Sequence, residues 1–248
     1  MPTIIDAHCG IGPWRDRDSL LPYTPQQMLE IMDYYEIVSA IVHANIMASY
    51  GSVEDGQTIV RDAHACSPRF LPAFTFDPSP FRPCAELVLA EARRQNISGA
   101  IWCVNPVGLR PSPWFYADIY ACCTDHRLPF FIETASFTPD EIHALCSAFP
   151  LLRVVLTGLD YRVEEWLYPL LREHAELRAC CAPVFITPRG IERFVANFGS
   201  ERLLFGSGLP HCSPGGLIGY IRYAEVTDED KRNIFSGNME RLLQEVLW

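Results

Sequence analysis

The sequence holds one lysine, Lys231, in 248 residues, and every other basic side chain is an arginine. Basic residues number 20 against 30 acidic ones, a net charge of −10. That balance lacks the positive field on which nucleic-acid binding depends. No run approaches the ~18 consecutive apolar residues of a membrane-spanning helix. The opening MPTIIDAH enters a strand-like segment at once, so no secretory leader is expected and the chain reads as soluble and cytoplasmic. None of the 10 cysteines forms a Cys-x-x-Cys pair, which removes the usual mark of a structural zinc site. Cys66, Cys84 and Cys146 lie in apolar stretches, where a reduced thiol packs as a small hydrophobe. No Gly-x-Gly-x-x-Gly follows the first strand-like run, which argues against a dinucleotide-binding open sheet.

What is present is apolar and periodic. Apolar residues make up 49% of the chain, enough for a substantial core. Strands are predicted at 3–8, 37–44, 70–76, 97–104, 128–134, 152–157, 177–182 and 202–207. Between them lie helical stretches with apolar residues three and four apart, such as Met28, Ile31, Met32 and Tyr35. Thr24-Pro25-x-Gln27 and Thr138-Pro139-x-Glu141 each supply a capping hydroxyl, a first-turn proline and a capping-box partner. Thr187-Pro188 reads as another helix start, and Thr227 as the start of the last, with acids in its first turn. Eight βα units of roughly 24–35 residues imply parallel strands. At this length they favour an α/β fold of one closed (β/α)8 TIM barrel, a single domain over residues 1–248.

Barrel chemistry sits at the C-terminal ends of the strands. Those positions carry Asp6, His8 and Cys9, then His43 and Asn45, Asp77, Asn105, Glu133, Thr157 and Gly158, and finally Gly208, His211 and Cys212. The other histidines, His64, His126, His143 and His174, fall in or beside predicted helices and read as surface or packing residues.

IIDAHCGIG at the start, LPFFIET and FPLLRVVLTGLD in the middle, and RLLFGSGLPH and DEDKRNIFSGNMERLL near the end carry a resemblance. Together they resemble the amidohydrolase-related family that includes aminocarboxymuconate-semialdehyde decarboxylase. The resemblance implies a barrel with one divalent metal, usually zinc, that catalyses hydrolysis or non-oxidative decarboxylation. It also implies ligand positions that this chain does not keep. The family's second strand-one histidine falls on Gly10, its strand-five histidine on Glu133, its strand-six histidine on Gly158 and its strand-eight aspartate on Gly208. Of these positions only His8 retains the family residue.

Glycine donates no side-chain lone pair, so the family's metal site is expected to be absent and no cofactor is expected. Zinc would enter only at a rearranged site drawn from His8, His43, His211 and Glu133. Glu133 in an apolar barrel mouth would have a raised pKa, so His8 and Glu133 are the candidate acid/base pair. Asp6, His43, Asp77, Asn105, Thr157 and His211 are the candidate substrate-binding residues, although for Asp6 the favoured role is structural, orienting His8 or bonding a loop amide. Arg15, Arg17, Arg82, Arg110 and Arg162 in the rim loops suit an acidic substrate, and Trp14, Trp102, Trp114 and Tyr161 suit an apolar wall, Trp102 suiting the barrel core equally. The repeated dipeptides His8-Cys9 and His211-Cys212 put two thiols near the rim, as catalytic groups or by chance adjacency.

The expected function is a hydrolase or non-oxidative decarboxylase for a small acidic or cyclic carboxylate, or a lactone-like relative. Two alternatives stand beside it. One is a non-catalytic barrel that binds a ligand or regulates a partner, suggested by the glycines at the ligand positions. The other is a hydrolase with the rearranged zinc site. The expected partner is a small molecule, with neither nucleic acid nor membrane, and a homodimer is compatible with the resemblance.

Overall fold

The strands are short apolar runs buried on both faces, the pattern of a parallel sheet jacketed by helices. In the computed structural model, residues 3–13, 24–45, 53–76, 89–90, 93, 101–103, 112–185 and 187–248 are described. The first half runs β1 (Ile4–Ile11), α1 (Pro25–Tyr34), β2 (Ile37–Ala44), α2 (Val53–Cys66), β3 (Phe70–Pro72), β4 (Phe74–Phe76) and β5 (Ile101–Cys103). The second half runs α3 (Ala117–Asp125), β6 (Phe130–Glu133), α4 (Pro139–Ala148), β7 (Val154–Thr157), α5 (Glu164–Glu173), β8 (Arg178–Cys181), α6 (Gly190–Phe198) and β9 (Leu203–Phe205). After β9 come α7 (Pro214–Arg222), α8 (Asp228–Arg232), a π-turn (Asn233–Gly237) and α9 (Asn238–Gln244).

Every named strand pairs in parallel, in the orders β1-β2-β3 and β4-β5-β6-β7-β8-β9. The predicted strand 70–76 is divided at Ala73, so its first half pairs with β2 and its second with β5. Strands of a barrel tilt across their neighbours, and the division lets one segment serve both sides. The ring closes where β9 runs out. Gly208 N–H donates to His8 O at 3.0 Å and Gly10 N–H to Leu209 O at 2.7 Å, with Cys9 bridged in parallel to Leu209. The fold is the expected TIM barrel. Its core is filled from the strands, Phe130, Phe131, Ile132, Val154, Val155 and Leu156 being fully buried.

Of the four helix starts predicted from a threonine, three follow their capping chemistry and one does not. Thr24 with Gln27, Thr138 with Glu141 and Thr227 with Asp230 form reciprocal capping boxes. Thr187 caps nothing. Its hydroxyl donates to Glu164 at 2.8 Å, and α6 begins at Gly190 behind Arg189, whose φ of 54° is left-handed. The closing segment is anchored by Asn238, whose Nδ2 donates to the carbonyls of Ser200 and Leu203, each at 2.7 Å.

Candidate active site

β1 and β2 deliver the first two histidines. Cys9 pairs with Val42 and Gly10 with His43, after a register shift between Asp6 and Cys9. His8 and His43 stack with ring centroids 5.4 Å apart and planes at 27°. Burial, with His211 nearby, holds His8 down to about 4. Burial also holds His43 well below its ordinary range, with His8 and His211 adding to the effect. Both rings are therefore neutral at pH 7. From the opposite wall β6 ends at Glu133, whose carboxyl burial pushes up. His8, His43, His211 and Glu133 line one cavity of about 160 Å3, shared with Asn45, Gly158, Gly208, Leu209 and Cys212. The three histidines thus converge, which spacing in sequence did not establish.

Asp6 and Thr157, expected to bind substrate, do neither lining nor reaching. The Asp6 carboxylate accepts from Ser207 N–H at 2.9 Å, from the Ser207 hydroxyl, and from His8 N–H at 3.0 Å. It is fully buried, and burial outweighs those bonds and raises its pKa to about 6. Its work is to tie β1 to the segment after β9 and to fix the backbone at His8. Thr157 is fully buried with its hydroxyl donating to Ile132 O at 3.3 Å, a bond internal to the wall. Asp77 and Asn105 lie outside the described residues, as do Trp14, Arg15, Arg17, Arg82 and Arg110. Arg162 is turned to its neighbour, its guanidinium 5.0 Å from the Tyr161 ring. Tyr161 and Trp114 are exposed and do not line this cavity. Cys9 is fully buried behind the wall and Cys212 lines the cavity; burial raises both thiols, so neither is a thiolate at neutral pH.

Asn45 is a polar lining residue to which sequence reasoning gave no role. The signal was there, since it stands two residues beyond His43 at the end of β2, the same spacing that links Asp6 to His8.

A parallel α/β barrel that gathers three histidines and a carboxyl around one cavity places them at the strand ends where barrel enzymes carry their chemistry. The chain belongs to the amidohydrolase family, whose model matches residues 5–244. A search of the curated proteins found no match. Among solved structures the chain is similar to an uncharacterised TIM-barrel protein of Bordetella bronchiseptica, at 16% identity and TM-score 0.72, covering 98% of this chain and 99% of that one. It is also similar to 5-carboxyvanillate decarboxylase of Novosphingobium aromaticivorans, at 12% identity and TM-score 0.76, covering 98% and 96%. A third is a probable 2-pyrone-4,6-dicarboxylic acid hydrolase of Acinetobacter baumannii, at 13% identity and TM-score 0.71, covering 98% and 99%.

The carboxyvanillate decarboxylase was solved with manganese bound, which corrects the expectation that no cofactor goes with this chain. Among the described residues no group of three or more His, Cys, Asp or Glu is arranged to hold one. A side chain at position 10 would begin 1.9 Å from Asn45 Oδ1, so that space is already taken. Gly158 and Gly208 carry φ of 67° and 68°, left-handed backbone that L side chains rarely adopt. The rearranged zinc set of His8, His43, His211 and Glu133 shares a cavity without forming a coordination sphere.

Proposed function

We propose that the chain is an amidohydrolase-lineage enzyme that decarboxylates or hydrolyses a small cyclic carboxylate in the His8–His43–His211–Glu133 cavity. One observation carries the reading: a carboxyl raised by burial and histidines held neutral by it face the same 160 Å3 of space. A cavity of about 150 Å3 admits a benzene ring, so the volume suits one substituted six-membered ring. In the decarboxylation, protonated Glu133 delivers its proton to the ring carbon that bears the carboxylate. The bonding pair of the carbon–carboxylate bond stays with the ring, and carbon dioxide leaves. His8 relays a proton from the bulk solution to Glu133, so the net change is one carboxylate and one solvent proton converted to a ring C–H and carbon dioxide. His43 and His211 position the ring. The solved neighbours named for 5-carboxyvanillate and 2-pyrone-4,6-dicarboxylate support the substrate class.

A second reading, binding without turnover, is favoured by glycine at positions 10, 158 and 208. One assay separates the two. The protein, as isolated and again with manganese added, is incubated with those two compounds and with 2,6-dihydroxybenzoate while carbon dioxide release and ring absorbance are followed. Turnover abolished by His8→Ala and by Glu133→Gln supports the enzyme. Turnover unchanged in both variants overturns these roles, and binding without turnover in either metal condition favours the second reading.

A further inference from the structure

Asn45 is fully buried immediately after β2. Nδ2 donates to the carbonyl of Gly12 at 2.8 Å, which leaves Oδ1 directed elsewhere. That oxygen is buried, and among the described residues no donor reaches it. Leaving a buried carbonyl oxygen without a donor costs on the order of 1–3 kcal/mol, so such an atom in a cavity wall points to something that visits it.

Its location is set by the strand register. Gly10 and His43 are partners across β1 and β2, so a side chain at position 10 would point to the face on which His43 stands. A Cβ there would lie 1.9 Å from Asn45 Oδ1 and 2.9 Å from its Cγ. The amide oxygen therefore occupies the start of the missing side chain's path, on the inner wall of the barrel. Asn45 lines the cavity with His8, His43 and Glu133. Glycine at position 10 is what makes room for it.

We propose that Asn45 sets substrate specificity: its Oδ1 accepts a hydrogen bond from a hydroxyl or N–H substituent on the bound ring, and selects against rings that lack one. The inference rests on the reading that this cavity takes a ring carboxylate, and deepens it. A water can meet the oxygen transiently, but a ring without a donor displaces that water and leaves the oxygen bare. Discrimination of this origin amounts to about tenfold or more in affinity.

The test is binding, read by titration calorimetry, so that it stands apart from turnover. The three hydroxybenzoate isomers are compared with the three fluorobenzoates, which match them closely in size and lack the donor. In the wild-type protein at least one hydroxyl isomer is expected to bind about tenfold tighter than its fluoro counterpart. Asn45→Leu, which keeps the bulk and removes the acceptor, is expected to bring that ratio to within about twofold while fluorobenzoate affinity holds. Gly10→Ala, which drives a methyl into the position of Oδ1, is expected to erode the ratio by a second route. Equal affinity for every hydroxyl–fluoro pair in the wild type overturns the assignment without recourse to variants. A preference that survives Asn45→Leu in a folded protein overturns it too. Failure of all six rings to bind overturns both this inference and the ring-carboxylate reading. Selective binding without carbon dioxide release supports Asn45 and removes only the catalytic reading.

Discussion

The carboxylate of Asp6 accepts hydrogen bonds from both the backbone amide and the hydroxyl of Ser207, a residue 201 positions later in the chain. Ser207 Oγ accepts in turn from Leu209 N–H at 3.0 Å, and Leu209 is bridged to Cys9. A strand-end acid that looked like a substrate ligand is instead the fastening between the two ends of the ring.

That fastening has a pH signature. The folded pKa of Asp6 is raised to about 6 from 3.8, so its contribution to stability is full below the unfolded value and is lost as pH rises through the folded one. His8 is lowered to about 4 from 6.5, and its contribution is full above the unfolded value and lost as pH falls through the folded one. The two windows overlap with opposite sign, and His43 adds to the side of His8. Asp6→Asn removes only the first effect. The stability of Asp6→Asn relative to wild type is therefore expected to drop by about 3 kcal/mol on acidification from above to below this window. Urea unfolding of both proteins across the window checks it, and parallel pH curves would contradict it.

Turnover should carry a second pH signature. The proposed chemistry needs His8 neutral, which holds above about 4, and Glu133 protonated, which holds below its raised pKa. A bell-shaped profile of kcat/KM is expected, with the alkaline limb belonging to Glu133. Glu133→Gln should lower the rate by about 100-fold or more and flatten that limb in the residual activity. A fall in rate with the limb intact would assign the limb to another group.

The glycines at 158 and 208 are committed to their backbone. Each has a φ near 68°, where a Cβ costs roughly 1–2 kcal/mol. Gly158→Ala and Gly208→Ala should each lower Tm by about 2–8 °C in a chain of this size, as calorimetric melting would record. Gly216→Ala, with nothing within 4 Å of the added carbon, is the control and should not lower Tm.

Asn238 predicts a loss that apolar bulk cannot repair. Asn238→Leu leaves the carbonyls of Ser200 and Leu203 without their shared donor, so a cost of about 2 kcal/mol or more is expected in denaturant unfolding. A change within about 0.5 kcal/mol would show that water replaces the amide.

The alternation of strand and helix was legible because period and capping are local properties, as the boxes at Thr24 and Thr138 show. The division at Ala73 was not, because it depends on which neighbours a tilted strand meets. Thr187-Pro188 has the local grammar of a helix start, but Glu164, from another element, claims its hydroxyl. At the mouth, His8, His43, His211 and Glu133 were found from their strand-end positions. Asp6 and Thr157 met the same rule and failed it, because each found a hydrogen-bond partner within the wall. The role of Asn45 depends on an empty Cβ position across a strand pair, and only the register reveals it.

The bond between Asp6 and Ser207 also sets an order of events at the ribosome. Of the two, β1 emerges first, and its partner beyond β9 follows 201 residues later. At about 5–20 residues per second the nascent strand waits roughly 10–40 s for that edge to be filled. Through that interval β1 has only β2 beside it, and one row of its backbone amides and carbonyls faces whatever the cell offers. The cost of this barrel's seam thus falls during synthesis, when a chaperone or a neighbouring chain competes for the edge that Leu209 will finally take.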